Sequence, residues 1–256
     1  MSIQLERSNQ EHLVRTATVP NYDSPYTVAC WVYADTIDGV VHTVAVLLAD
    51  DDNVDISAFC DTNIAPTDRS YLGAFIAATG DTSYVGNTLT TSTWYYVTMI
   101  RTSTSVIEMG INGSSQESVT QSIVGRTAAT VLAIGWAING GSEYGFNGRI
   151  AAVKIWAEAK SHATLYANEA PYWNAQDTTN LWGQYHFKTA TADADGYNDS
   201  SGNSRDLTAV GTLSTAGDPP AILGNDPSSN LPINSVQFGT IGNITEFGRG
   251  VPFTII

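Results

Sequence analysis

The chain is short of positive charge, cysteine and long apolar runs. Of its 256 residues only 11 are Lys or Arg, against 25 Asp or Glu, and the formal net charge is −14. Such a chain repels a phosphate backbone and an anionic lipid surface, so neither nucleic acid nor a membrane is an expected partner. No stretch of about 18 apolar residues occurs, and no transmembrane helix is expected. The opening run Met1-Ser2-Ile3-Gln4-Leu5-Glu6-Arg7 has no apolar h-region, so the expectation is a chain without a signal peptide. Two cysteines, Cys30 and Cys60, are too few for a disulfide scaffold. A small buried thiol is expected at Cys30, with a Cys30–Cys60 bridge as the alternative.

Catalytic signatures are also scarce. The four histidines, His12, His42, His162 and His186, have no metal-ligand or triad spacing along the chain. Gly140-Gly141-Ser142-Glu143-Tyr144 misses a Gly-x-Ser-x-Gly nucleophile elbow at its last position. There is no P-loop and no dinucleotide fingerprint.

What is present is aromatic and turn-rich. Hydrophobic residues make up 43%, charged residues only 14%, and there are 12 Tyr and 6 Trp, which argues against a disordered chain and is enough for one large sandwich core or two small domains. Short apolar runs alternate with turn residues along the chain. Strands are predicted at Tyr26–Tyr33, Val40–Leu48, Tyr71–Ala78, Trp94–Arg101, Val106–Asn112, Thr130–Ala137, Arg149–Trp156 and Leu181–Phe187. In the first of these both alternating sets are apolar, Tyr26/Val28/Cys30/Val32 and Ala29/Trp31/Tyr33, as for a central strand covered on both faces. Asn112-Gly113 reads as a hairpin turn, since both residues tolerate positive φ. One short helix is expected at Ala163–Glu169, capped by Ser161 and stopped by Pro171, with a turn-rich loop as the alternative.

Beyond about Asp218 the texture changes to a Pro/Asp/Ser-rich connection, followed by Ile233–Ile256 with Val236, Phe238, Ile241, Ile244 and Phe247 among several glycines. This is too apolar for a solvated tail and too small for a domain. The expectation is a domain over 1–222, then a linker and an extended C-terminal arm over 223–256 that docks on this domain or on a neighbour.

Several segments resemble one family. Tyr26-Thr27-Val28-Ala29-Cys30-Trp31-Val32, Trp94-Tyr95-Tyr96-Val97 followed by Glu108-Met109-Gly110-Ile111-Asn112-Gly113, and Gly145 to Trp156 are similar to core strands of laminin-G-like, concanavalin A-like domains. Leu181-Trp182-Gly183-Gln184-Tyr185-His186-Phe187 with the turn Asp199-Ser200-Ser201-Gly202-Asn203 is a further match, but it comes last here and first in ordinary members. The chain therefore resembles a circularly permuted form, like those of phage virion and tail-associated proteins. The resemblance implies an all-β jelly-roll sandwich of two antiparallel sheets with one short helix and the extended C-terminal arm. For function it implies a non-enzymatic virion structural, capsid-decoration or tail protein that binds host-surface glycans, or alternatively a cellular carbohydrate-binding or adhesion module. Related laminarinase-type glycosidases carry Glu-x-Asp-x-x-Glu; here no Glu has an Asp two residues later, so that carboxylate pair is missing.

Candidate sites follow. Asp50, Asp51, Asp52 and Asp55 could supply the hard oxygens that Ca²⁺ takes, or form a solvated turn. Asp193-x-Asp195-Gly196-Tyr197-Asn198-Asp199 allows the same two readings, with Asx-turns as the plainer one. Tyr144, Tyr172 and Trp173 stand in turn-like contexts where a ring could stack on a sugar. Val236, Phe238, Ile241, Ile244 and Phe247 are the candidate assembly contacts of the arm, with other copies of the chain or other virion proteins as partners.

Overall fold

The structure, a computed structural model, describes residues 1–16, 25–36, 42–48, 54–61, 71–76, 81–84, 90–103, 105–120, 130–136, 138–139, 142–143, 145–217 and 222. The chain divides into two compact units, Met1–Asn225 and Asp226–Ile256. The second lies outside the described residues, and with it the arm residues Val236, Phe238, Ile241, Ile244 and Phe247.

The described strands, in chain order, are β1 (Ser2–Leu5), β2 (His12–Arg15), β3 (Tyr26–Ala34), β4 (His42–Leu48), β5 (Val54–Asp61), β6 (Tyr71–Ile76), β7 (Asp81–Tyr84), β8 (Trp94–Arg101), β9 (Val106–Ile111), β10 (Ser114–Thr120), β11 (Val131–Ile134), β12 (Ile138–Asn139), β13 (Ser142–Glu143), β14 (Gly148–Trp156), β15 (Leu181–Tyr185), β16 (Thr208–Val210) and β17 (Ser214–Ala216). A single α-helix, α1 (His162–Asn168), is found among the described residues, with one 3-10 turn at Arg7–Asn9. Every pairing is antiparallel, in a first sheet ordered β10-β9-β8-β3-β14-β1-β17, with β15 also on β14, and a second ordered β16-β2-β11-β4-β5-β6-β7. β12 and β13 form a separate two-stranded ladder. Among the described residues no helix is long and apolar enough to cross a membrane.

The central strands have apolar residues on both faces because each face is covered. In β3, Tyr26, Val28, Cys30, Val32 and Ala34 enter the core between the sheets, while Ala29 and Trp31 join a second cluster on the outer face of the first sheet. Leu165 of α1 and Ala170 lie in that outer cluster, and Ile222 packs against it. β14 divides in the same way, but with an interruption. Its register on β3 shifts between Ala151 and Lys154, with Ala152 at φ 50°. This bulge places Ala151 and Ala152 together on the outer face, returns Val153 to the core and turns Lys154 outward. It also splits the partners of β14: its first half pairs β1 (Ile3↔Ile150) and its second half pairs β15 (Val153↔Tyr185).

β1 also pairs β17, with Ser2 opposite Ala216, so the first and last strands of the sandwich are neighbours. Adjacent ends are what a circular permutation requires. The Asn112-Gly113 turn is as expected: both residues have positive φ, 49° and 84°, and they join β9 to β10. A Cβ on Gly113 would come within 2.7 Å of Tyr166 on α1, so that glycine serves the helix contact as well as the turn. Ser161 precedes α1 in an extended conformation but makes no side-chain capping bond, contrary to expectation. The helix is held instead by its buried face, His162 and Leu165.

Candidate functional site

The outer face of the first sheet is half apolar and half polar. α1 and the residues that follow it, 169–177, cover this face: Leu165 and Ala170 join its apolar cluster, and Trp173 and Ala175 pack against that cluster. The polar residues of the face include Thr98 on β8, 2.6 Å from His162 of α1, and the group used below, Lys154 on β14 with Gln184 on β15 and His186 just after it.

Lys154 is 1% exposed and its ammonium donates to Glu169 Oε2 at 3.0 Å, the Glu169 carbonyl at 2.8 Å and the Tyr172 carbonyl at 2.9 Å. All three ammonium hydrogens are thereby used. Burial pulls the Lys154 pKa down to about 8, opposed by the charge of Glu169. Glu169, 3% exposed, also accepts the backbone N–H groups of Gln176 and Asp177, at 3.0 and 2.8 Å. The indoles of Trp31 and Trp156 donate to the carbonyls of Ala170 and Asp177, both from strands below. Gln184 Oε1 accepts the N–H of Ala175 at 2.5 Å, and its amide donates to Asn174 Oδ1 at 3.1 Å. The segment is therefore pinned at Glu169, Ala170, Tyr172, Asn174, Ala175, Gln176 and Asp177.

Between this segment and α1 opens a cleft of about 400 Å³, lined by Thr164, Ala167, Asn168, Glu169, Tyr172, Gln176 and Asp177. Tyr172 and Trp173, read together from the sequence, part here. Tyr172 lines the cleft. Trp173 packs on the outer cluster, with the Lys188 ammonium 5.3 Å from its ring centre and the His186 ring edge-on at 6.3 Å. Tyr144 and Asp50, Asp51 and Asp52 lie outside the described residues. Asp55 falls in strand β5, which starts at Val54, and not in the loop before it.

His186, Ser200 and Asp195 come together although the sequence shows no triad spacing. Ser200 Oγ is 3.2 Å from His186 Nε2, and Asp195 Oδ1 is 3.5 Å from His186 Nδ1. The order is that of a Ser-His-Asp triad, but the wiring is different. The Asp195 contact is too long for the orienting hydrogen bond, and Asp195, 59% exposed, receives Lys188 at 2.8 Å. Ser200 donates to the Gln184 carbonyl at 3.1 Å, and His186 Nε2 lies 2.8 Å from Asn174 Oδ1. Burial, with the nearby Lys188 charge, lowers the His186 pKa to about 4, far from the near-neutral value a general base needs. The ring joins the turn at Ser200 to the segment above it.

The remaining acids are also engaged. Asp199 accepts the N–H groups of Gln184, Ser201 and Arg205, closing the Asp199–Asn203 turn on β15. Asp193 accepts from Asp195 N, Gly196 N and the hydroxyls of Thr189 and Thr191, which is the Asx-turn reading of that loop. Asp177 binds the Lys160 ammonium at 2.6 Å, which with the Thr179 contacts holds its carboxyl down at about 2. Among the described residues no group of three or more His, Cys, Asp or Glu is placed to hold a metal ion.

Residues 8–165 match the family model of the concanavalin A-like lectin/glucanases superfamily, and the chain belongs to that superfamily. No curated protein matches it in sequence. Among solved structures it is similar to a candidate carbohydrate-binding protein from Bacteroides ovatus, at 19% identity and TM-score 0.62 over 86% of this chain. The match takes in 61% of that protein, so the chain spans about three fifths of its length. It is also similar to the heptameric SAP-like pentraxin of Limulus polyphemus, at 14% identity and TM-score 0.59, over 87% of this chain and 96% of that one. The enzymatically active domain of tailspike protein 2 from bacteriophage CBA120 matches at 16% identity and TM-score 0.54, over 72% of this chain and 29% of that one. At such identities these likenesses establish a shared lectin-like fold alone.

Proposed function

We propose that this chain is a non-enzymatic recognition protein with a lectin-like fold, borne on a virion as a decoration or tail-associated component, that binds host-surface glycans. One observation carries the non-enzymatic reading: within a lectin-like sandwich, the group ordered like a Ser-His-Asp triad and the buried Lys154–Glu169 pair are internal fasteners. Lys154–Glu169 and Ser200–His186–Asn174 hold the same surface segment in place. The likeness to part of a bacteriophage tailspike supports the virion setting. In that setting Val236, Phe238, Ile241, Ile244 and Phe247 dock on another copy of the chain or on another virion protein, as an apolar extended segment does in a groove or at a sheet edge. Ca²⁺ held by Asp50, Asp51, Asp52 and Asp55 belongs to the same proposal. The likeness to the Bacteroides ovatus protein favours a second setting, a cellular carbohydrate-binding or adhesion module.

A glycan array probed with the full chain, with and without Ca²⁺, tests recognition; specific spots are the expected result, and a blank array in both conditions counts against it. Deleting Ile233–Ile256 tests the virion role. Particle incorporation is expected to be lost while the sandwich keeps its urea midpoint, and normal incorporation of the deleted protein would remove the arm from the assembly.

A further inference from the structure

We infer that the cleft between α1 and residues 169–177 is the glycan subsite, and that it takes a neutral, hydroxyl-rich sugar and rejects acidic ones. This rests on the recognition reading above and adds the place and the ligand class.

The first support is the construction of the wall. A buried ion pair is a poor way to gain stability, since an apolar pair of similar volume does as well or better. What Lys154 and Glu169 provide is position. Three bonds from the ammonium and two backbone bonds to the carboxylate fix the path of the chain through Glu169, Tyr172, Gln176 and Asp177, all four of which line the cleft or carry its wall. A wall locked before a ligand arrives loses little ordering entropy on binding.

The second support is the lining. Thr164 supplies a hydroxyl, and Asn168 and Gln176 supply amides, groups that both donate and accept and so match the hydroxyls of a sugar. Tyr172, half-buried, and Ala167 supply an apolar flank for the C–H face of a pyranose.

The third support is charge. No Lys or Arg lines the cleft, while two carboxylates, Glu169 and Asp177, do. Two ammonium groups touch this wall and both are taken up: Lys154 by Glu169 and the carbonyls of Glu169 and Tyr172, and Lys160 by Glu158 and Asp177. The C-terminal end of α1 adds its own partial negative charge. A sialic acid or uronate carboxylate would enter without a free counter-ion on a chain of net charge −14, whereas neutral hydroxyls can pair with the Thr164 hydroxyl and the Asn168 and Gln176 amides.

The test uses an array of immobilised glycans divided into neutral members, ending in glucose, galactose, mannose or N-acetylhexosamines, and acidic members that are sialylated, sulfated or uronic. It is probed with the full chain, Tyr172→Ala, Asn168→Ala and Tyr166→Ala, each checked for folding by its urea midpoint. Tyr172→Ala keeps the carbonyl that Lys154 binds. Asn168, exposed on α1, serves if Tyr172→Ala does not fold, and Tyr166 is an exposed aromatic of the same helix outside the lining. The expected result is neutral-glycan binding that survives chelation, falls about tenfold in Tyr172→Ala and Asn168→Ala, and is unchanged in Tyr166→Ala. Preference for acidic glycans, loss of binding on chelation, or undiminished binding by both cleft variants overturns the subsite and leaves glycan recognition standing. No binding to any glycan overturns both.

Discussion

Glu169→Ala is expected to destabilise the sandwich by about 3–5 kcal/mol, the cost of stranding one partner of a buried ion pair. Two losses combine. The Lys154 ammonium keeps only the carbonyls of Glu169 and Tyr172, and the N–H groups of Gln176 and Asp177 lose their acceptor. For a domain of this size the melting temperature should fall by roughly 10 °C. Lys154→Met should cost less than Glu169→Ala, because the carboxylate left behind still accepts two backbone donors. The double variant Lys154→Met/Glu169→Leu should recover part of the loss, since apolar side chains of similar volume need no partner, while the N–H groups of Gln176 and Asp177 stay without their acceptor. Urea unfolding followed by circular dichroism gives all the midpoints. If Glu169→Ala unfolds at the wild-type midpoint, the pair does not hold the segment. The double variant also separates stability from position: it should regain part of the midpoint but not the set of the loop, so glycan binding should stay weakened under conditions where the variant is fully folded.

The sandwich was legible in the sequence wherever the signal is local. β3 and β14 show two apolar faces because each packs on the inter-sheet core and on the cluster under α1, and that pattern is written in consecutive residues. The Asn112-Gly113 turn is legible for the same reason, since two adjacent residues decide the sign of φ. The late Asp199–Asn203 turn pointed to permuted order, and the pairing of β1 with β17 meets its geometric condition. The edge strands were not legible. β17 is Ser-Thr-Ala and largely exposed, so nothing in its composition marks a strand; it exists because β1 offers it a hydrogen-bonding edge.

The site was less legible, because its bonds join residues that no sequence period connects. Tyr172 and Trp173 are neighbours with similar chemistry, yet one borders a cleft and the other packs under Lys188 and beside His186. Neither fate follows from a turn-like context. One clue was available: Lys154 is the one charged residue in the run Ile150–Trp156, which has apolar residues on both faces. A charge there demands a buried partner. The sequence could say that the partner existed, but not that it was Glu169, which reaches back from the far end of α1.

Lowering the pH from 7 to 4 is expected to remove about 3 kcal/mol through His186 alone, because each pH unit separating its folded pKa from the ordinary value is worth about 1.4 kcal/mol. In the folded chain its pKa lies at about 4, and the ordinary value is 6.5. Above pH 6.5 neither state holds the proton and the residue has no influence. Between 6.5 and 4 the unfolded chain takes up a proton that the folded chain refuses, so stability falls as the pH falls, and the loss is complete near pH 4. The ring is 7% exposed, so solvent screening does little to reduce the effect. His162, also buried and lowered, adds to the loss in the same direction. Urea midpoints at about pH 7, 5.5 and 4.5 for wild type and His186→Gln give the measurement. The variant starts lower at pH 7, since it gives up contacts to Asn174 and Ser200, but its midpoint should decline less steeply, and the two curves should converge in acid. Parallel curves would mean that the folded ring takes up its proton near the ordinary value of 6.5, as the unfolded chain does. In that case His186 could not be the neutral fastener that distinguishes this cluster from a working triad, and the non-enzymatic reading would lose its main chemical support.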